Sequence, residues 1–177
     1  MWKTIVLTKI RLQDTTYSKT HRARISLMNL RTLLLICITF LNLKGYSLEV
    51  QILHPCHFQT LAHQYYSTTQ VMTVGQITLQ LLSQQSFSYV ANEAAVHRIL
   101  NSPIGNEALD IVNDHTMRAY GWCYLVNGVY SEDFPSQKIV GPYDTITWYF
   151  GFALYDKGQW VRQCAPAHEA PPLAFCS

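Results

Sequence analysis

Residues 145–155 read Thr-Ile-Thr-Trp-Tyr-Phe-Gly-Phe-Ala-Leu-Tyr. Ile146, Trp148, Phe150, Phe152 and Leu154 fall on one side of a period of two, and Thr147, Tyr149, Gly151, Ala153 and Tyr155 on the other. Only a β-strand separates side chains in this way, so the chain must be built around a sheet in which this long strand turns its first set of residues to the core. Asp156-Lys157-Gly158 then reads as a three-residue hairpin loop with Gly in the left-handed position, returning the chain through residues 159–164 with Trp160 on the return strand.

A second strand is expected over residues 119–126, an aromatic and β-branched run that ends at Asn127-Gly128, a pair tolerant of positive φ. Thr73-Val74-Gly75-Gln76 has the form of a capping box, and Val74, Ile77, Leu81 and Leu82 follow at helical spacing, which predicts a helix over 74–85 with one apolar stripe. Shorter strands are read at 48–53, 87–90 and 96–100, a helical turn at 106–112, and an extended tail at 165–177. A striped helix followed by strands, with a late hairpin, predicts an α+β domain. Its expected form is a β-grasp-like mixed sheet with one main packed helix, stapled by disulfides.

Residues 33–43 are apolar except for Thr39 and Asn42, far fewer than the roughly 20 that span a bilayer. With Arg31 before them and Gly45-Tyr46-Ser47 after, they fit a signal peptide of residues 28–47 cleaved after Ser47. Residues 1–27 would be an upstream extension arising from start-site choice, with Met28 as the true start. Cys37 leaves with the peptide, and Cys56, Cys123, Cys164 and Cys176 remain in a periplasmic or secreted domain of 130 residues, 48–177. Four cysteines allow three connectivities. The favoured one pairs Cys56 with Cys176, clamping the ends of the domain, and Cys123 with Cys164, joining neighbouring strands. Residues 48–177 carry five basic and ten acidic side chains, which disfavours nucleic acid as a partner.

Gly121-Trp122-Cys123-Tyr124-Leu125-Val126-Asn127-Gly128, followed by Asp144-Thr145-Ile146-Thr147-Trp148-Tyr149, resembles a bacterial domain family of unknown function related to the C-terminal domain of transcobalamin and intrinsic factor. The resemblance spans residues 71–160. It implies a β-grasp-like fold and a non-enzymatic binding or adhesion role. In the vitamin carriers the related domain covers one face of cobalamin, but this chain lacks their large helical domain, so cobalamin is an analogy only.

His54, Cys56, His57 and His63 match no established metal spacing, and a disulfide-bonded Cys56 would not ligate as a thiolate, so no metal and no cofactor is expected. Glu107, Asp110 and Asp114 would share a face of the helical turn and favour its dipole. Glu132, Asp133 and Asp144 flank the loop between the two aromatic strands, and a secreted hydrolase using such loop carboxylates is the alternative function, although no nucleophile signature accompanies them. Aromatic side chains are more numerous than a small core needs: Tyr120, Trp122, Tyr124, Tyr130, Tyr143, Trp148, Tyr149, Tyr155 and Trp160. The reading that follows is an exported monomeric binding module that holds a small molecule or a protein partner on an aromatic sheet face, through Trp122, Tyr149 and Tyr155.

Overall fold

The computed structural model describes residues 46–177 apart from 58, 173, 174 and 177, so the expected signal peptide and upstream extension lie outside the described residues except for Tyr46 and Ser47. In chain order the elements are β1 (Ser47–Leu53), β2 (Thr60–Ser67), β3 (Met72–Thr73), α1 (Val74–Ser83), β4 (Tyr89–Asn92), β5 (Ala95–Ile99), a 3-10 turn (Gly105–Ala108), β6 (Leu109–Asn113), β7 (Thr116–Val126), β8 (Val129–Tyr130), β9 (Ile139–Val140), β10 (Thr145–Asp156), β11 (Gln159–Pro166) and a last 3-10 turn (Ala167–Glu169).

The main sheet runs β2-β1-β10-β7-β6, with β11 also on β10 and β8 also on β7. The first hairpin (β1, β2) is antiparallel, α1 follows it, and β10 returns to the middle of the sheet parallel to β1. This is an α+β, β-grasp-like arrangement: a mixed sheet with one main helix across it. Two small antiparallel pairs, β3 with β9 and β4 with β5, complete the described residues.

The sheet has two unlike faces because its register aligns like with like. Val50 and Val126 flank Ile146, Ile52 and Tyr124 flank Trp148, and all six lie on the side covered by α1. The capping box is formed as the sequence predicts, Thr73 Oγ1 accepting from Gln76 N at 3.1 Å and Gln76 Oε1 from Thr73 N at 3.1 Å, a type of cap worth about 1 kcal/mol. It starts a helix that buries Val74, Ile77, Thr78, Leu81 and Leu82. Trp148, 1 % exposed, donates Nε1–H to Thr78 Oγ1 at 2.8 Å, which satisfies both polar atoms inside this core. Further along the same face Tyr120, Phe150 and Phe152 are covered by the C-terminal segment, where Tyr120 donates to the Ala170 carbonyl at 2.6 Å.

Both disulfides pair as favoured, Cys56 with Cys176 and Cys123 with Cys164. The second does not join neighbouring strands, however. Cys123 lies on β7 and Cys164 on β11, and β10 runs between them, so the bridge crosses the central strand on the face away from α1. Gly151 makes room for it: a Cβ there would meet the Ala165 carbonyl oxygen at 2.8 Å and Cys123 Sγ at 3.3 Å.

Three local expectations change. The turn after β10 has two residues, Lys157 and Gly158, both at positive φ, because Asp156 pairs directly with Gln159. Residues 106–112 are not a helical turn: a short 3-10 segment gives way to β6, so Asp110 sits on a strand and pairs with Arg118 at 2.7 Å, apart from any helix dipole shared with Glu107 and Asp114. β2 is an additional strand on the sheet edge.

Gly151→Ala should destabilise the domain by about 1–3 kcal/mol, since backbone and disulfide both resist displacement. Gly121→Ala, on the paired position of β7 where a Cβ meets nothing within 4 Å, should change stability by less than about 0.5 kcal/mol. Urea unfolding of the two oxidised variants measures the difference, and equal midpoints would contradict the crossing geometry.

Candidate functional site

One edge of β10 is shared by two strands that do not meet. β1 pairs with residues 145–148 and β11 with residues 151–156, which leaves Tyr149 and Phe150 without a register partner on that side among the described residues. The cause is in the sequence. Pro55 follows β1 closely and Pro166 is the last residue of β11, and proline has no N–H with which to extend a ladder. The gap is a notch in the sheet.

Residues 54–57 fold over this notch. His54 N donates to the Gln59 carbonyl at 2.8 Å and Cys56 N to His54 Nδ1 at 3.2 Å, and the Cys56–Cys176 disulfide ties the turn to the C-terminal segment. Beneath it lies a cavity of about 220 Å³, walled by Leu53, Leu125, Thr147, Tyr149, Phe150 and Pro166 and by the 54–57 turn, with His168 also on its lining. For comparison, an apolar cavity of about 150 Å³ accommodates a benzene ring.

The polar groups of the cavity are few and held. Tyr149 donates its hydroxyl proton to the Cys164 carbonyl at 2.8 Å, and burial, aided by the neighbouring Tyr130 phenol, pushes its pKa up to about 12. The His54 and His57 rings stack at 4.9 Å between centroids and 17° between planes. Burial, followed by repulsion from His57, lowers the His54 pKa below the ordinary value of 6.5. On the same sheet face Gln51 Nε2 donates to Oγ1 of the wall residue Thr147 at 2.8 Å, and outside the cavity lining His63 Nε2 lies 2.9 Å from Glu49 Oε1.

The three residues expected to form one aromatic face do not share one. Trp122 pairs in register with Phe150 and lies on the helix-covered side, its ring 5.6 Å from that of Phe150 and its Nε1–H donated to Ser102 Oγ at 3.0 Å. Tyr149 and Tyr155 lie on the opposite side, but six residues of strand separate them by about 20 Å. Tyr155 packs edge-on against Trp160 at 5.3 Å near the β10–β11 turn. Tyr149 alone of the three lines the notch.

The other sequence candidates lie elsewhere. His63 is on β2, beside Glu49 of β1 and outside the cavity lining that holds His54 and His57, and no group of three or more His, Cys, Asp or Glu suited to a metal ion occurs among the described residues. Glu132 and Asp133 line a different cleft of about 270 Å³ beside β7, and Asp133 pairs with Lys138 at 3.2 Å. Asp144 accepts from Asn127 Nδ2 at 2.7 Å and from Gly141 N at 2.8 Å, which fixes the loop before β10. Leu53, Leu125, Thr147 and His168 were not singled out from the sequence. Pro55 and Pro166 were the available signal, but it becomes readable only once both strands are known to border β10.

Comparisons with known protein families, with curated proteins and with solved structures return no match to this chain.

The Cys56 N–H to His54 Nδ1 bond exists only while Nδ1 is unprotonated. Because folding lowers the His54 pKa, the unfolded chain binds more protons between the folded value and 6.5. This contribution to stability is therefore complete above 6.5 and is lost as the pH falls through the folded value. An NMR titration should show the Cys56 amide and the His54 ring moving together with a midpoint below 6.5. A midpoint above that value, or a Cys56 amide that ignores the titration, would contradict the bond.

Proposed function

We propose that residues 48–177 are an exported binding module without catalytic chemistry, and that the module holds a small apolar molecule in the notch beside β10. The observation that carries this reading is the cavity itself: a ring-sized, largely apolar space whose walls are fixed by two strand ends and by a disulfide-tied turn. Preformed concave sites of this type, with few and well-placed polar groups, are where small molecules bind.

Several features agree with it. Two disulfides suit an oxidising compartment, and no helix among the described residues is long and apolar enough to cross a membrane. Among the described residues no carboxylate lines the cavity, and the Tyr149 proton is committed to the Cys164 carbonyl, so the carboxylate pair of the alternative hydrolase reading does not lie there. The resemblance to the transcobalamin C-terminal domain implies a β-grasp-like sheet and a binding role, and the sheet is of that kind. The small cavity argues against a ligand as large as a corrin macrocycle and for a single ring or short chain.

Benzyl alcohol, a neutral single-ring probe, should bind saturably to the oxidised domain with millimolar affinity, shifting the amide signals of Leu53, Leu125, Thr147 and Tyr149. Thr147→Trp, which fills the cavity floor, should abolish those shifts, and alanine at Glu132 and Asp133 should leave them unchanged. Unsaturable shifts, or saturable shifts centred on Tyr155 and Trp160, would overturn the assignment of the notch.

A further inference from the structure

The chemical class of the ligand follows from which charges the notch can carry. Among the described residues its titratable lining groups are His54, His57, His168 and Tyr149, with no Asp, Glu, Lys or Arg. Each imidazole is either neutral or positive. Tyr149 is a phenol whose proton is held by a carbonyl. The cavity can therefore be neutral or positive, and it has no means of becoming negative near neutral pH.

Of the acidic groups on the neighbouring elements, Glu169, next to His168, is compensated by Arg162 at 2.7 Å. That pairing limits the negative field that a domain with ten acidic and five basic side chains over residues 48–177 would otherwise project into the site.

The hydrogen-bonding polarity points the same way. His54 Nδ1 accepts from the Cys56 backbone N–H, so the neutral ring must carry its proton on Nε2 and can offer only a donor there. A partner for that nitrogen has to be an acceptor. A cationic or donor-only group would meet a second donor and no compensating negative charge, which is the arrangement that excludes a ligand most effectively.

We infer that the notch selects compact apolar monocarboxylates, with the ring or short chain against Leu53, Leu125 and Phe150 and the carboxylate accepting from His54 Nε2–H. This rests on the notch being the binding site and adds the charge class of what binds there.

The test uses three probes of nearly the same size and shape on the oxidised domain, followed by NMR at neutral pH: benzoate, benzamide and benzamidine. Benzoate should bind most tightly, benzamide less so, and benzamidine at least about tenfold more weakly than benzoate. His54→Asn, whose short amide can still accept from Cys56 N–H, should weaken benzoate about fivefold more than it weakens benzyl alcohol. Benzamidine binding as tightly as benzoate, or an equal loss of benzoate and benzyl alcohol in His54→Asn, would overturn the carboxylate assignment while the notch itself stands. Failure of benzyl alcohol and of all three probes to bind saturably would overturn both.

Discussion

The backbone N–H and C=O groups of a central strand project alternately to its two edges and need partners along both, and β10 meets this demand along one edge with two strands that run in opposite directions. β1 comes in parallel and β11 antiparallel, so they approach the middle of β10 from opposite ends, β11 stopping at Pro166 and β1 two residues before Pro55. A sheet assembled in this way must contain a break where the two ends face one another. The break lies beside Tyr149 and Phe150, and the turn of residues 54–57 spans it. The cavity is thus a consequence of strand pairing and does not depend on a loop that happens to fold back.

The two disulfides act on the two sides of this break. Cys123–Cys164 passes over β10 and fixes the end of β11 to β7, using the space left by Gly151. Cys56–Cys176 fixes the spanning turn to the C-terminal segment, which itself lies over Tyr120, Phe150 and Phe152. Loops of 41 and 120 residues are closed, and constraints of this type stabilise by about 3–5 kcal/mol each, chiefly by narrowing the unfolded ensemble. The same bonds keep an open cavity from collapsing, because the apolar faces of Leu53, Leu125 and Phe150 cannot close on one another without moving covalently tied segments.

Much of the architecture was readable from the sequence because local pattern and tertiary role coincide there. The alternation of β10, the capping box of α1 and the Asn127-Gly128 turn, where both residues have positive φ, each carry one local solution. β2 was not readable because it is an edge strand with only Ala62 buried, so its polar residues show no alternation. Residues 106–112 misled because Ala108, Ile111 and Val112 stand at helical spacing, whereas Ile111 and Val112 lie exposed on a strand. The binding residues were hardest to assign. Residues 119–126 carry bulky groups on both faces, and only the pairing of Trp122 with Phe150 decides that Trp122 belongs beneath α1. A site made by the ends of two strands distant in sequence leaves no motif in either of them.

The measurement that tests this account most directly is ligand binding in the Cys56→Ser, Cys176→Ser double variant, with far-UV circular dichroism reporting on the sheet. The account predicts a retained β-sheet spectrum and an affinity for benzyl alcohol reduced at least about tenfold, since the turn over the notch is no longer held. Undiminished affinity in the folded variant would contradict it, because the cavity would then owe nothing to the clasp that closes the break in the sheet.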